Sequence, residues 1–218
     1  MAGPETPPIL FQDQHYAVLD KPAGLPVHPG PRGGPSVEDC FPALSRRRDG
    51  PWLAHRLDAD TSGCLVVALR KAALIAAQAA FAAASAGKIY WAVVRGGPTE
   101  ARGRVDAALR RQTSRDGWRM VSDPAGEHAE TVWRVLGRGP GIAWLELRPR
   151  TGRTHQIRVH CALLGCPIIG DPLYGGGTGT LHLLARGITL PLVPPVDVTA
   201  EPPAHMRAAL RQCGWGLG

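Results

Sequence analysis

Two segments hold the residue types best suited to chemistry, HRLDADTSG at 55–63 and TGRTHQIRVH at 151–160. The first puts Asp58 two residues after Arg56 and just ahead of an apolar run. The second supplies Arg153 and Arg158 around a helix start. A carboxylate among arginines stays ionised at neutral pH, because a nearby guanidinium favours its charged form. An ionised carboxylate can serve as a covalent nucleophile or a base, and the surrounding cations suit an anionic polymer. A loop-to-strand junction can also expose such a side chain in a cleft while the core holds its backbone still. Gly63 allows the sharp entry into the strand that follows.

Residue types alone leave other readings open. His55, Asp58 and Asp60 could be metal ligands of a phosphoesterase, although that chemistry needs further ligands. His155 and His160 are five residues apart and do not share a helix face. Asp58 or Ser62 could brace a turn, with Arg158 as a structural ion-pair partner. Ser62 with His55 or His155 could suggest acyl transfer, but no GxSxG elbow is present. Tyr90, in KIYWAVV, shares a strand face with Ala92 and Val94. Core packing is its default role, and stacking on a base is the alternative.

Composition narrows the field. The chain of 218 residues can bury one good core, in at most two lobes. A hydrophobic content of 44% and a charged content of 20% are globular values. The formal net charge is +7, and among the 25 basic residues only Lys21, Lys71 and Lys88 are lysines. Arginine forks match phosphate oxygens, which favours a phosphate-rich partner. Cys40, Cys64, Cys161, Cys166 and Cys213 are irregularly spaced and form no CxxC, so disulfides and zinc are not expected and a reducing cytoplasm fits. The start, MAGPETPP, lacks a signal-peptide pattern, and the apolar runs are too short to span a membrane.

The elements that position these residues follow from pattern. Residues 1–8 read as a loose, Pro-rich start. Ile9 to Leu19 reads as strand, turn, strand about Asp13-Gln14, and 21–34 as a long Pro/Gly-shaped loop. A short helix is expected over 36–44, and a basic loop at Arg46, Arg47 and Arg48. Cys64 to Leu69 reads as a buried strand, 71–87 as a helix stopped by Gly87, and 89–96 as a strand. Residues 110–128 show no period and read as a surface excursion. Glu130 to Leu136 and Ile142 to Leu147 form a hairpin about Gly137 to Gly141. Thr154 is the expected cap of a helix ending near Gly165, with Ile157, Cys161 and Leu164 inward and Arg158 at the edge of the buried face. Leu181 to Leu192 gives one or two strands, and a short helix closes the chain. Strands predominate without βαβ alternation, which indicates α+β with a mostly antiparallel or mixed sheet.

HRLDADTSGCLVVAL, KIYWAVV and RTGRTHQIRVHCALLGCPIIGDPLYG together resemble the RluA-type RNA pseudouridine synthases. YAVLDKPAGLPVHPG at 16–30 resembles that family's first motif, and LHLLARGITL followed by PPAHM its C-terminal pattern. The ordered match runs from about residue 9 to about 212. The resemblance implies a cofactor-free and metal-free isomerisation of uridine in ribosomal or transfer RNA. It implies Asp58 as the catalytic aspartate, Arg158 as its paired arginine, and Tyr90 against the uracil as a candidate for proton removal at C5. Arg56 would fill the gap left by the extruded nucleotide, with His55, Thr61, Arg153 and His155 also placed around the RNA. The implied fold is a twisted mixed, largely antiparallel sheet flanked by helices and loops, with the cleft across its middle. One catalytic domain over 9–218 is expected, without the separate N-terminal RNA-binding domain that many members carry, acting as a monomer and away from membranes. The rival expectation is a catalytically silent RNA-binding protein on the same scaffold.

Overall fold

The computed structural model describes residues 6–30, 33–47, 49–115 and 117–216. Residues 1–5 of the expected loose start, and Arg48 of the basic loop, lie outside the described residues. The chain divides into two compact units, residues 1–88 with 184–201, and residues 89–183 with 202–218.

The first unit is built on β4 (Ser62–Ala68), every residue of which is buried. Its neighbour β2 (Tyr16–Lys21) pairs antiparallel with it, and β1 (Ile9–Gln12) pairs with β2 about a turn at Asp13. Asp13 closes that turn by accepting the N–H groups of His15 and Tyr16. The other edge of β4 is shared. β11 (Leu183–Leu190) lies parallel to its start through Leu184 and Ala185, and the two-residue β3 (Trp52–Leu53) lies antiparallel to its end. β12 (Val196–Thr199) extends the sheet antiparallel to β11. This parallel pairing of β11 with β4 makes the sheet mixed. A Cβ on Gly63 would sit 2.4 Å from the Ala185 carbonyl oxygen, so this approach of β11 requires glycine, as does the φ of +104°.

The short helix expected over 36–44 appears as a 3-10 turn, Val37–Cys40, continued by α1 (Phe41–Leu44). α2 (Lys71–Ala82) buries Ala73, Leu74, Ala77 and Ala80. It stops well before Gly87, which belongs to the next strand. Ala84 takes a left-handed φ of +53°, and Ser85 and Ala86 both donate to the Ala80 carbonyl, so the reversal is made by a non-glycine residue.

The second unit carries a four-strand antiparallel run in the order β5 (Gly87–Arg95), β10 (Ile142–Pro149), β9 (Glu130–Gly139) and β6 (Arg102–Asp106). Ala92, Val94, Trp133, Ala143, Leu145 and Leu147 of these strands pack against Ile157 and Cys161 of α3 (Gln156–Leu163), with Tyr90 and Leu164 at the margin. The closing helix is α4 (Ala204–Gln212). Its end sits directly on Gly137, where a Cβ would meet the Cys213 carbonyl. The stretch expected to be a surface excursion is instead a two-stranded ribbon, β7 (Leu109–Ser114) with β8 (Gly117–Ser122). Only its Leu109 end is well buried, against Ala129 and Val159, so no alternation of apolar residues announces it. Among the described residues no helix is long and apolar enough to cross a membrane.

Candidate functional site

In the first unit, Asp58 sits on a tight turn closed by a hydrogen bond from the Thr61 N–H to the Asp58 carbonyl, 3.1 Å. The side chain is half-buried, Arg56 is exposed, and Thr61 and Ser62 are buried where the turn runs into β4. The carbonyl of Ala59, next to Asp58, accepts two hydrogen bonds, from the Gly24 N–H at 2.9 Å and from Lys21 Nζ at 2.7 Å. Lys21 is fully buried and gives its other protons to the carbonyls of Pro22 and Leu25, at 2.9 and 2.8 Å. One ammonium therefore ties the KPAGL loop to the backbone of the Asp58 turn. Burial pushes its pKa down to about 8, against the opposing pull of the Asp60 and Asp58 charges. Lys21 is not among the candidates the sequence singles out, although a lysine followed by Pro-Ala-Gly at a strand end marks the position. Lys21→Met is expected to remove the ammonium's three hydrogen bonds, leaving the Ala59 carbonyl with Gly24 alone, and to lower unfolding stability by on the order of 3 kcal/mol, read by denaturant melts.

His55 has a structural task. Its Nε2 accepts the Val66 N–H at 3.0 Å, in the stretch of β4 between its pairings with β11 and β3. The ring lies 5.0 Å from that of Phe81 on α2. The imidazole stands in for a missing strand partner, so its neutral form is the one the fold uses. Burial lowers its pKa to about 4; a hydrogen bond to the Arg56 backbone opposes this and the Lys88 charge adds to it. A depressed histidine pKa means that the unfolded chain binds the proton first. The stability this group contributes is complete above about pH 6.5, is lost as pH falls toward 4, and changes no further below. The expected loss is on the order of 3 kcal/mol over that window, present in the parent and absent in His55→Gln. Urea melts of the two proteins at pH 7 and pH 4 check this. Equal pH dependence in both would remove His55 as its source.

In the second unit, Tyr90 lies on β5 beside the core face of Ala92 and Val94, half-buried. Arg158 lies on α3 and is buried rather than at the edge of its face. Its Nε and Nη2 grip both oxygens of Asp171, each at 2.8 Å, and Asp171 is fully buried. Burial alone would raise that carboxyl's pKa, but the Arg158 hydrogen bonds and charge outweigh it. With the N–H groups of Tyr174 and Leu173 they hold it below the ordinary carboxylate range. Asp171, in GDPLYG, is not among the sequence candidates, which offer Asp58 as the partner for Arg158.

Thr154 does not cap α3. The Gln156 amide does the fastening. Its oxygen accepts the Thr151 hydroxyl at 2.7 Å and the Arg153 N–H at 3.0 Å, and its nitrogen donates to the Glu130 carbonyl and Thr131 Oγ1. Every hydrogen-bonding position of that buried amide is engaged, so the loop carrying Arg153 and His155 is fixed to β9. Arg153 reaches back through Nε to the His128 carbonyl and through Nη1 to Glu127. His155 takes a left-handed φ of +52°, stacks on Trp118 at 5.0 Å, and meets the Tyr174 hydroxyl at 2.8 Å. Asp106, His128 and Glu130 bring potential ligand atoms within 4.8 Å of one another on the exposed edge of β6 and β9; none is among the sequence's metal candidates.

Residues 15–163 match the model of the RNA pseudouridylate synthase family. The chain belongs to that family. It is 38% identical over 202 residues to an uncharacterized RNA pseudouridine synthase of Zymomonas mobilis, covering 89% of this chain and 92% of the relative. It is 43% identical over 185 residues to ribosomal large subunit pseudouridine synthase D of Xanthomonas campestris, covering 80% of this chain and 54% of that longer protein. Among solved structures, the human RNA pseudouridylate synthase domain containing 4 superposes with a TM-score of 0.79 at 29% identity, covering 94% of this chain and 92% of that one. The α+β reading, with a mixed sheet and few helices, agrees with that likeness. The chain is thus an isomerase of this family, acting on uridine in RNA.

Proposed function

We propose that Asp58 is the nucleophile of this isomerisation, with Arg158 as its guanidinium partner and Tyr90 against the uracil. We further infer that residues 9–218 work as one catalytic domain, as a monomer in the cytoplasm, on structured ribosomal or transfer RNA. A stacked uridine must leave the helix before its glycosidic bond is reachable, at a cost of a few kcal/mol. The exposed Arg56 is suited to occupy the space it vacates. The Asp58 carboxylate adds to the nucleotide, at C1′ of the sugar or C6 of the base. The N1–C1′ bond breaks, the uracil turns, and a C5–C1′ bond forms. The C5 proton leaves, N1 gains a proton, and the carboxylate is released unchanged, so atoms balance without a co-reactant. By the family resemblance, Tyr90 would take the C5 proton. Arg153 and the arginines of β7 and β8 would grip phosphates, and binding should weaken with salt.

The observation that most supports the reading is the turn of Asp58, braced through its backbone by a buried ammonium. Such bracing holds the backbone that carries the nucleophile. The test is tritium release from unmodified ribosomal and transfer RNA transcripts labelled at uridine C5. Release is expected with and without chelator. Binding without release would favour the silent RNA-binding protein, and chelator-sensitive strand cleavage a metal phosphoesterase.

A further inference from the structure

We propose that Tyr174 is a positioning residue that joins the β7–β8 ribbon to Arg158, so that RNA held on the ribbon is registered at the guanidinium. The inference rests on the reading of Arg158 as a participant in the reaction.

Tyr174 is fixed at three points. Asp171 Oδ1 accepts the N–H groups of Leu173 and Tyr174 at 3.0 and 3.1 Å, so the carboxylate that grips Arg158 also sets the Tyr174 backbone. The Tyr174 ring then covers the Arg158 guanidinium, 5.2 Å from ring centre to Cζ. At its far end the hydroxyl accepts the Met120 N–H of β8 at 2.9 Å and shares a hydrogen bond with His155 Nδ1 at 2.8 Å. His155 in turn stacks at 18° on Trp118 of the same strand, and the Arg111 guanidinium of β7 lies over that indole, 4.6 Å from its centre. The ribbon carries exposed arginines at 110, 111, 115 and 119. It meets α3 through Leu109 against Val159 and, on its polar side, through the Tyr174 phenol and the His155 imidazole.

Packing alone does not account for this arrangement. The Tyr174 ring helps cover the small cluster of Leu109, Ala129 and Val159, and a phenylalanine would cover it equally well. The hydroxyl adds a partner for a main-chain N–H on the ribbon, and that specific link is what a merely structural ring would not need. The ring over Arg158 is a separate restraint, because the flat face of an aromatic ring and a planar guanidinium hold one another in register.

The two halves separate experimentally. In Tyr174→Phe the ring remains and the hydroxyl is lost. KM for the labelled transcript is expected to rise about tenfold with kcat within about twofold of the parent, as fits the loss of two part-buried hydrogen bonds. Hydrogen exchange at the Met120 amide should accelerate by at least about tenfold. In Tyr174→Leu the ring is lost as well, and kcat is expected to fall by a further factor of about ten or more, while Asp171 still grips Arg158. Unchanged KM and unchanged Met120 exchange in Tyr174→Phe would overturn the link to the ribbon. Equal kcat in the Phe and Leu variants would overturn the positioning of Arg158. If Arg158→Ala itself kept its turnover, the catalytic half would fall with that assignment, and Met120 exchange would still decide the structural half.

Discussion

Asp58→Asn is expected to abolish tritium release from RNA labelled at uridine C5, by at least about four orders of magnitude, while RNA binding persists. Asparagine is nearly isosteric, and the backbone carbonyls of the turn keep their partners in the variant. The Asp58 carbonyl receives the Thr61 N–H, and the Ala59 carbonyl receives Lys21 and Gly24. The loop should therefore keep its shape, and melting temperature should hardly move. What is lost is the charge and nucleophilicity of the carboxylate, because an amide oxygen does not form the required bond to carbon at a useful rate. Binding should survive because it draws on arginines spread over the surface. Release in the variant equal to that of the parent would remove Asp58 from the chemistry.

Arg158→Ala is expected to have two large effects of separate origin. Turnover should vanish with the guanidinium. Stability should also drop by about 3–5 kcal/mol, because the change leaves the fully buried Asp171 carboxylate without its counter-charge. A partner at Asp58 alone would have implied a small structural cost. The pair with Asp171 changes that expectation. The double variant Arg158→Met with Asp171→Asn should regain most of the lost stability, since the asparagine oxygen can still accept the Leu173 and Tyr174 N–H groups and no charge is left buried. It should stay inactive. A double variant that regained turnover along with stability would assign Arg158 a purely structural role.

The strands were legible wherever burial dictated their composition. β4 is apolar from Cys64 to Ala68 because every residue there is buried, and β9 with β10 announce themselves by apolar runs around a glycine-rich turn. The β7–β8 ribbon was not legible, because most of its side chains face water and a solvated ribbon has no period to detect. The end of α2 was misplaced because an alanine, not Gly87, takes the left-handed conformation. Of the candidate site residues, the turn bearing Asp58 and the helix bearing Arg158 could be anticipated from polar residues abutting apolar runs. The task of His55 could not, since a histidine that patches a strand edge looks in sequence like one that meets a substrate. Lys21, Asp171 and Tyr174 escaped for a related reason. Their value comes from partners distant in the chain or from backbone atoms, neither of which has a residue signature.

The most direct measurement is nucleoside analysis of an unmodified ribosomal RNA transcript after incubation with the protein, alongside tritium release from the same sample. The account requires each uridine lost to reappear as an isomer of equal mass with its base joined through C5. One C5 proton should be released per conversion, from an RNA of unchanged length. Intact binding with no isomer formed, or a transcript cut into shorter pieces, would contradict it.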